Sequence, residues 1–256
     1  MSESQHHSPP ADRLFSEQGG PTGAPLVVLI HGSLDRSAGM IKLARQLQHD
    51  FLTLRYDRRG YGKSWEHQGP YSVANQVDDL EQLLEGRQAV LFGHSYGGNV
   101  ALATAERLGK QIMGVSTYET PLSWMSWWPG TTAGAIGIAA GTELAAEKFM
   151  IRLIGQKRWD GLPDRTKNDR RREGAALVGE LGLLRISEPW NPANIACRVF
   201  CGFGSRGLEH HQRGARWLVD NIVNSNLICI EDAGHGAPMS HPTECARQLI
   251  IPHFDG

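Results

Sequence analysis

An α/β fold, a mostly parallel sheet with helices on both faces and an inserted helical cap, is what this sequence predicts. Three observations carry that expectation. Short, continuous apolar runs recur along the chain. Amphipathic segments with helical spacing separate them. One long stretch interrupts the alternation without offering a strand.

The first run, Leu26-Val27-Val28-Leu29-Ile30, is bounded by Pro25 and His31-Gly32. A run apolar at every position reads as a strand covered on both faces. Similar runs begin at Phe51, Ala89 and Ile112, and later at Arg198 and Leu227. Between them, Met40, Ile41, Leu43, Ala44 and Leu47 fall at helical spacing, as do Val77, Leu80, Leu83 and Leu84, and then Val100, Ala103, Ala105 and Leu108. Strands alternating with helices predict parallel pairing and crossover helices.

The interruption spans residues 121–192. It opens with Trp124, Trp127 and Trp128, continues through a run of small residues at 131–141, and then shows helix-like pieces at 143–154 and 164–184. About seventy residues without a strand exceed a simple crossover, so an inserted helical cap is expected. Residues 1–13 are polar, with two prolines and paired histidines, and predict a disordered tail. Residues 14–256 then form one domain carrying the cap.

Composition narrows the function. The chain has 256 residues, 40% hydrophobic and 21% charged, with 26 basic against 27 acidic side chains. That balance provides no field for nucleic acid or an anionic membrane. No apolar stretch approaches the ~20 residues needed to span a bilayer. The four cysteines form no CxxC pair, so reduced thiols, a cytoplasmic protein, and no metal or cofactor are expected.

Gly93-His94-Ser95-Tyr96-Gly97 follows an apolar strand and opens a helix. In that setting the serine sits on a tight, strained turn with its hydroxyl thrust outward, and the helix N-terminus faces an incoming oxyanion. Without the strand–turn–helix context the pattern could be a serine merely capping a helix. His31-Gly32-Ser33 ends the first strand, where the Ser33 amide can pair with that of Tyr96 as an oxyanion hole. A serine hydroxyl needs a base within hydrogen-bond reach. Of eleven histidines, only His235 stands in a glycine-flanked loop after a strand and downstream of the serine. His210 and His211 start a helix, His94 points the wrong way along the chain, and His31 is expected to order its own loop.

The succession His31-Gly32, then Asp57-Arg58-Arg59-Gly60-Tyr61-Gly62-Lys63-Ser64, then the Ser95 elbow, then Gly234-His235 resembles the α/β-hydrolase superfamily. It is similar to the branch with serine esterases, perhydrolases, lactonases and carbon–carbon bond hydrolases. The resemblance implies that the segment from Asp57 to Ser64 is structural, and that the cap enters between the sixth and seventh strands and roofs the pocket. It implies an acyl-enzyme on Ser95 formed from an ester, thioester or lactone, without a cofactor. A serine at this position disfavours the relatives with an aspartate nucleophile. A carbon–carbon hydrolase would use the same residues, and a catalytically weak ligand-binding protein is the alternative from another class.

That alternative draws on one departure. Where relatives carry the acid, this chain reads Gly202-Phe203-Gly204-Ser205. Glu119, after the run that begins at Ile112, is the expected replacement, with Glu209 as competitor and an absent acid as the remaining case. Asp232 is too near His235 to curl back. Trp124, Trp127 and Trp128 are expected to bind substrate or to pack the cap onto the sheet. The segment 157–172, with seven basic and three acidic residues, reads as a solvated helix face with salt bridges, an anion-receiving surface being the second reading.

Overall fold

The computed structural model describes residues 14–130 and 133–255, excluding the side chains of 133–135 and 138. The expected tail at 1–13 lies outside the described residues, as do Thr131 and Thr132. The elements run β1 (Ser16–Gly19), β2 (Leu26–Ile30), α1 (Ile41–Leu47), β3 (Leu52–Tyr56), α2 (Val73–Leu84), β4 (Ala89–His94), α3 (Tyr96–Leu108) and β5 (Ile112–Tyr118). Five helices follow: α4 (Ala133–Ala140), α5 (Thr142–Ile154), α6 (Gln156–Asp160), α7 (Asp164–Arg172) and α8 (Gly174–Ile186). The chain then returns through β6 (Arg198–Gly204), α9 (Glu209–Asn221), β7 (Ser225–Ile230), α10 (Ala237–Ser240) and α11 (Pro242–Cys245).

One seven-stranded sheet results, ordered β1-β3-β2-β4-β5-β6-β7. Every neighbouring pair is parallel except β1, which runs antiparallel to β3. The continuous apolar run of β2 has its predicted explanation in its burial. Val28 and Ile30 join a core with α2, α3 and α9, while Val27 and Leu29 face α1 and the C-terminal helices. All five residues of β2 are buried, and each such side chain contributes roughly 1.5–3 kcal/mol over leaving it in water. Strand β1 was not expected. Its sequence, Ser-Glu-Gln-Gly, has no apolar alternation, and it is a strand only because the β3 edge offers unpaired backbone groups.

The insertion lies between the fifth and sixth strands rather than the sixth and seventh, because five strands precede it. Its helices pack on one another, α5 against α4, α7 and α8. Several cations of the charged segment 157–172 are paired within the insertion. Arg170 reaches Glu173 at 2.8 Å, Arg171 reaches Glu147 at 2.8 Å, and Arg172 reaches Asp169 at 3.0 Å. None of the described helices is long and apolar enough to cross a membrane.

Candidate active site

Ser95 sits between β4 and α3 with φ 52° and ψ −125°, a backbone conformation that non-glycine residues rarely adopt. Two hydrogen bonds hold it there, Ser95 N to the Tyr118 carbonyl at 2.8 Å and Gly98 N to the Ser95 carbonyl at 2.9 Å. The elbow also needs room. A Cβ on Gly97 would strike the Ile30 carbonyl, and one on Gly93 would strike the backbone of Gly97. Gly32 passes so close that an added Cβ would stand 2.9 Å from the Ser95 Cβ. The loop bearing Ser33 therefore runs beside the serine, and both residues line one cavity of about 310 Å³. Tyr96 is the first residue of α3, where amide groups lack an intrahelical partner.

Glu119 directly follows β5, again with positive φ, and its side chain is wholly buried. Oε1 accepts from Gly204 N at 3.1 Å, and Oε2 lies 2.7 Å from His235 Nδ1. Burial works against the Glu119 charge, but His211 and His235 outweigh it and hold its pKa below the ordinary carboxylate range. Gly207 makes the arrangement possible, since a Cβ there would run into Oε1.

His235 is fixed from several sides. Tyr118 Oη donates to the Gly234 carbonyl at 2.9 Å. His94 Nε2 lies 2.7 Å from the His235 carbonyl, with the two rings 4.7 Å apart. Burial, with His235 nearby, pushes the His94 pKa down to about 3, so His94 is a neutral brace. His31 braces another loop: it pairs with the Gly32 carbonyl through Nδ1 and accepts from Arg58 N through Nε2. Asp57 holds the loop beneath the site, accepting from Ser37 N at 2.6 Å and Lys63 N at 2.8 Å.

His211 is the residue the sequence reading missed. Its Nδ1 stands 2.9 Å from the same Glu119 oxygen, and its ring stacks on that of His235 at 4.8 Å and 21°. The available signal was a histidine in the first turn of a helix at the carboxyl edge of the sheet. Glu209, which opens the same turn, is exposed, and Asp232 pairs with Arg206 at 2.8 Å. Ser205, at the usual place of the acid, accepts from Asp232 N at 2.8 Å. Glu119, His211 and His235 place three donor atoms within 4.8 Å of one another. Because the imidazoles are stacked, one cation could not lie in the plane of both rings, and the set suits two imidazoles on a carboxylate better than a metal.

Of the three tryptophans, Trp128 lines the cavity. Trp124 and Trp127 are not among its lining residues and pack instead, the other of the two expected roles. Trp124 packs edge-on against Trp190 at 5.5 Å, and Trp127 lies under the Arg213 guanidinium at 4.4 Å. The insertion supplies Phe149, Arg152 and Leu153 from α5 and Leu181 from α8 to the cavity wall. It also reaches beneath it. Glu180 of α8, fully buried, accepts from Ser33 Oγ at 2.5 Å, Tyr61 Oη at 2.6 Å and Arg58 Nη1 at 2.8 Å.

The family described as the Alpha/beta hydrolase family matches residues 27–248. Monoglyceride lipase of Homo sapiens is 34% identical over 108 residues, 38% of this chain and 36% of that protein. Epoxide hydrolase 4 of Mus musculus is 29% identical over 99 residues, 37% of this chain and 28% of that protein. The chain thus spans about a third of the length of the curated relatives it matches. Among solved structures, an enol-lactonase from Burkholderia xenovorans LB400 superposes with a TM-score of 0.75 at 20% identity, over 95% of this chain and 96% of the other. A thermophilic esterase from Thermogutta terrifontis gives 0.71 at 23%, over 94% and 93%. At such identities these likenesses speak for the fold alone. The match over residues 27–248 goes further: the chain belongs to the alpha/beta hydrolase family.

Proposed function

We propose that this chain is a serine hydrolase that cleaves a small ester, thioester or lactone through an acyl-enzyme on Ser95. The observation that carries the reading is the 2.7 Å contact from His235 Nδ1 to the buried Glu119 carboxylate, in the cavity that Ser95 also lines. With Nδ1 engaged, the proton-accepting lone pair falls on Nε2. Ser95 Oγ adds to the substrate carbonyl while His235 Nε2 takes its proton. The Ser33 and Tyr96 amides receive the oxyanion, each such donor being worth on the order of 10²–10³ in rate. As the tetrahedral intermediate collapses, the bond to the leaving group breaks and His235 returns the proton to it. Water, deprotonated by the same nitrogen, then adds to the acyl carbon and releases the acid with Ser95 restored. Glu119 holds the ring and stabilises the imidazolium.

A fluorophosphonate probe tests this, because labelling requires an activated serine. The wild-type protein should label, and Ser95→Ala should not. Absence of labelling of the folded wild-type protein would favour ligand binding without catalysis.

A further inference from the structure

We propose that the substrate carries a second, anionic group, and that Arg152 and His210 receive it at the wall of the Ser95 cavity. The inference rests on the hydrolase reading above and adds the class of substrate to it.

The lining of the cavity motivates it. Much of the wall is apolar, from Pro121, Trp128, Phe149, Leu181 and Leu208. Among the described residues, Arg152 is the one charged side chain in the lining, and no aspartate, glutamate or lysine joins it. Glu119 is sealed behind His211 and His235, and Glu180, beneath Ser33, is paired with Arg58.

Arg152 is also unspent. It lies in the last turn of α5, with its guanidinium over the Phe149 ring at 5.3 Å, and among the described residues no carboxylate comes within 4.0 Å of it. Among the described residues, Arg158 and Arg165 of the same insertion likewise hold no acid but do not line the cavity, and its other arginines are engaged. Arg170, Arg171 and Arg172 each hold an acid, and Arg185 donates to the carbonyls of Ser123 and Pro129. Arg152 is exposed to solvent, and a cation without a counterion beside an apolar wall creates a positive potential that neutral substrates leave unused.

His210 completes the receiving surface. It lines the cavity, edge-on to Trp128 at 4.7 Å. Burial, followed by the neighbouring His211, lowers its pKa to about 4, so at neutral pH it offers an N–H donor without charge. A planar guanidinium and an imidazole donor suit a carboxylate, which accepts through two oxygens. The substrate class is then a carbonyl compound with a free carboxylate on its acyl or its alcohol part, such as a hemiester of a dicarboxylic acid.

Matched ester pairs test this. Mono-4-nitrophenyl adipate and 4-nitrophenyl hexanoate have acyl chains of equal length and differ by the terminal carboxylate. The pair 4-carboxyphenyl hexanoate and phenyl hexanoate places the charge on the alcohol side. The readout is the ratio of kcat/KM for the anionic over the neutral ester within each pair. In at least one pair the wild-type ratio should exceed that of Arg152→Gln by about tenfold, the size of one charge-assisted hydrogen bond. Arg152→Glu should drop the ratio below that of the Gln variant, and Arg152→Lys should retain part of it. If the variants fail to fold, the wild-type ratio alone still decides, since it should fall as sodium chloride rises from 0.02 to 0.5 M, ~20 to ~4 Å in Debye length. Equal hydrolysis within both pairs, or a preference unmoved by salt and by Arg152→Gln, overturns the proposal while the hydrolase reading stands. Failure to turn over any of the four esters, with no fluorophosphonate labelling of Ser95, overturns the hydrolase reading itself.

Discussion

A histidine base is only as good as what holds its far nitrogen, and here one carboxylate oxygen faces two imidazoles. Glu119→Gln keeps the shape of that contact and removes the charge. It should lower kcat by up to about 10⁴-fold on a responsive ester, through a misplaced tautomer. Glu209→Gln, at an exposed position, should leave kcat within twofold, and steady-state kinetics on the two variants separates the acids. His211→Phe retains a ring against His235 but removes Nδ1 from Glu119. Losing one close contact to a buried carboxylate should cost about 1–2 kcal/mol in urea unfolding, with a far smaller fall in kcat than Glu119→Gln causes. Ser95, His235 and Glu119 were legible because each follows an apolar run, and strand ends of a parallel sheet share one edge. His211 was not, because starting a helix told nothing about which way its first turn would face. That direction is set by packing on Glu119, a contact 92 residues away in the sequence.

Among the elements, α8 does more than roof a pocket. Through Glu180 it neutralises Arg58, which is fully buried with its guanidinium 4.9 Å from the ring centres of both Tyr61 and Tyr96, and it anchors the Ser33 hydroxyl. Breaking a buried pair strands a charge, which typically costs 3–5 kcal/mol, whereas replacing both partners with apolar groups costs much less. Glu180→Gln should therefore destabilise by about 3 kcal/mol and lower kcat/KM by disturbing Ser33. The double variant Arg58→Met with Glu180→Leu should recover part of the stability. Urea melts at the four corners of that cycle give the coupling. Periodicity disclosed the strands of the interior, since each is apolar on both faces. It concealed β1, where backbone pairing alone defines the strand, and it left open which tryptophans reach the pocket. Trp124, Trp127 and Trp128 look alike in sequence, and only the fold of the segment after β5 separates them.

For the molecule as a whole, buried neutral histidines set the response to acid. Burial is the foremost cause holding His31 well below its ordinary value and His94 at about 3, and it holds His253 at about 4. In the unfolded chain each returns to about 6.5. Below that value the unfolded state binds protons that the folded state refuses, so stability falls as pH drops through 6.5 and toward 4. The fall approaches about 1.4 kcal/mol per pH unit for each such group. Glu119 acts in the same direction at lower pH, because its depressed pKa gives stability above the ordinary carboxylate value that is lost on further acidification. Burial raises Asp35 to about 6 and Glu173 to about 8, and these two acids add stability as pH falls. Melting temperature should therefore decline where the histidines outnumber them, from pH 6 to 4, and His253→Gln should flatten that decline. A constant melting temperature between pH 6 and 4 would contradict the burial of these rings.

The Glu180 bridge also bears on how such a protein can diverge. A helical insertion hung from two strand ends looks exchangeable, as if new specificities could be had by trading one roof for another. Here the roof owns the counter-charge of the body beneath it. A roof borrowed from a relative without an acid at that point would leave the Arg58 guanidinium stranded in the interior. Residues 58 and 61, and residue 180 at separations of 122 and 119, are thus bound to change together or not at all, and the insertion and the sheet are inherited as one piece.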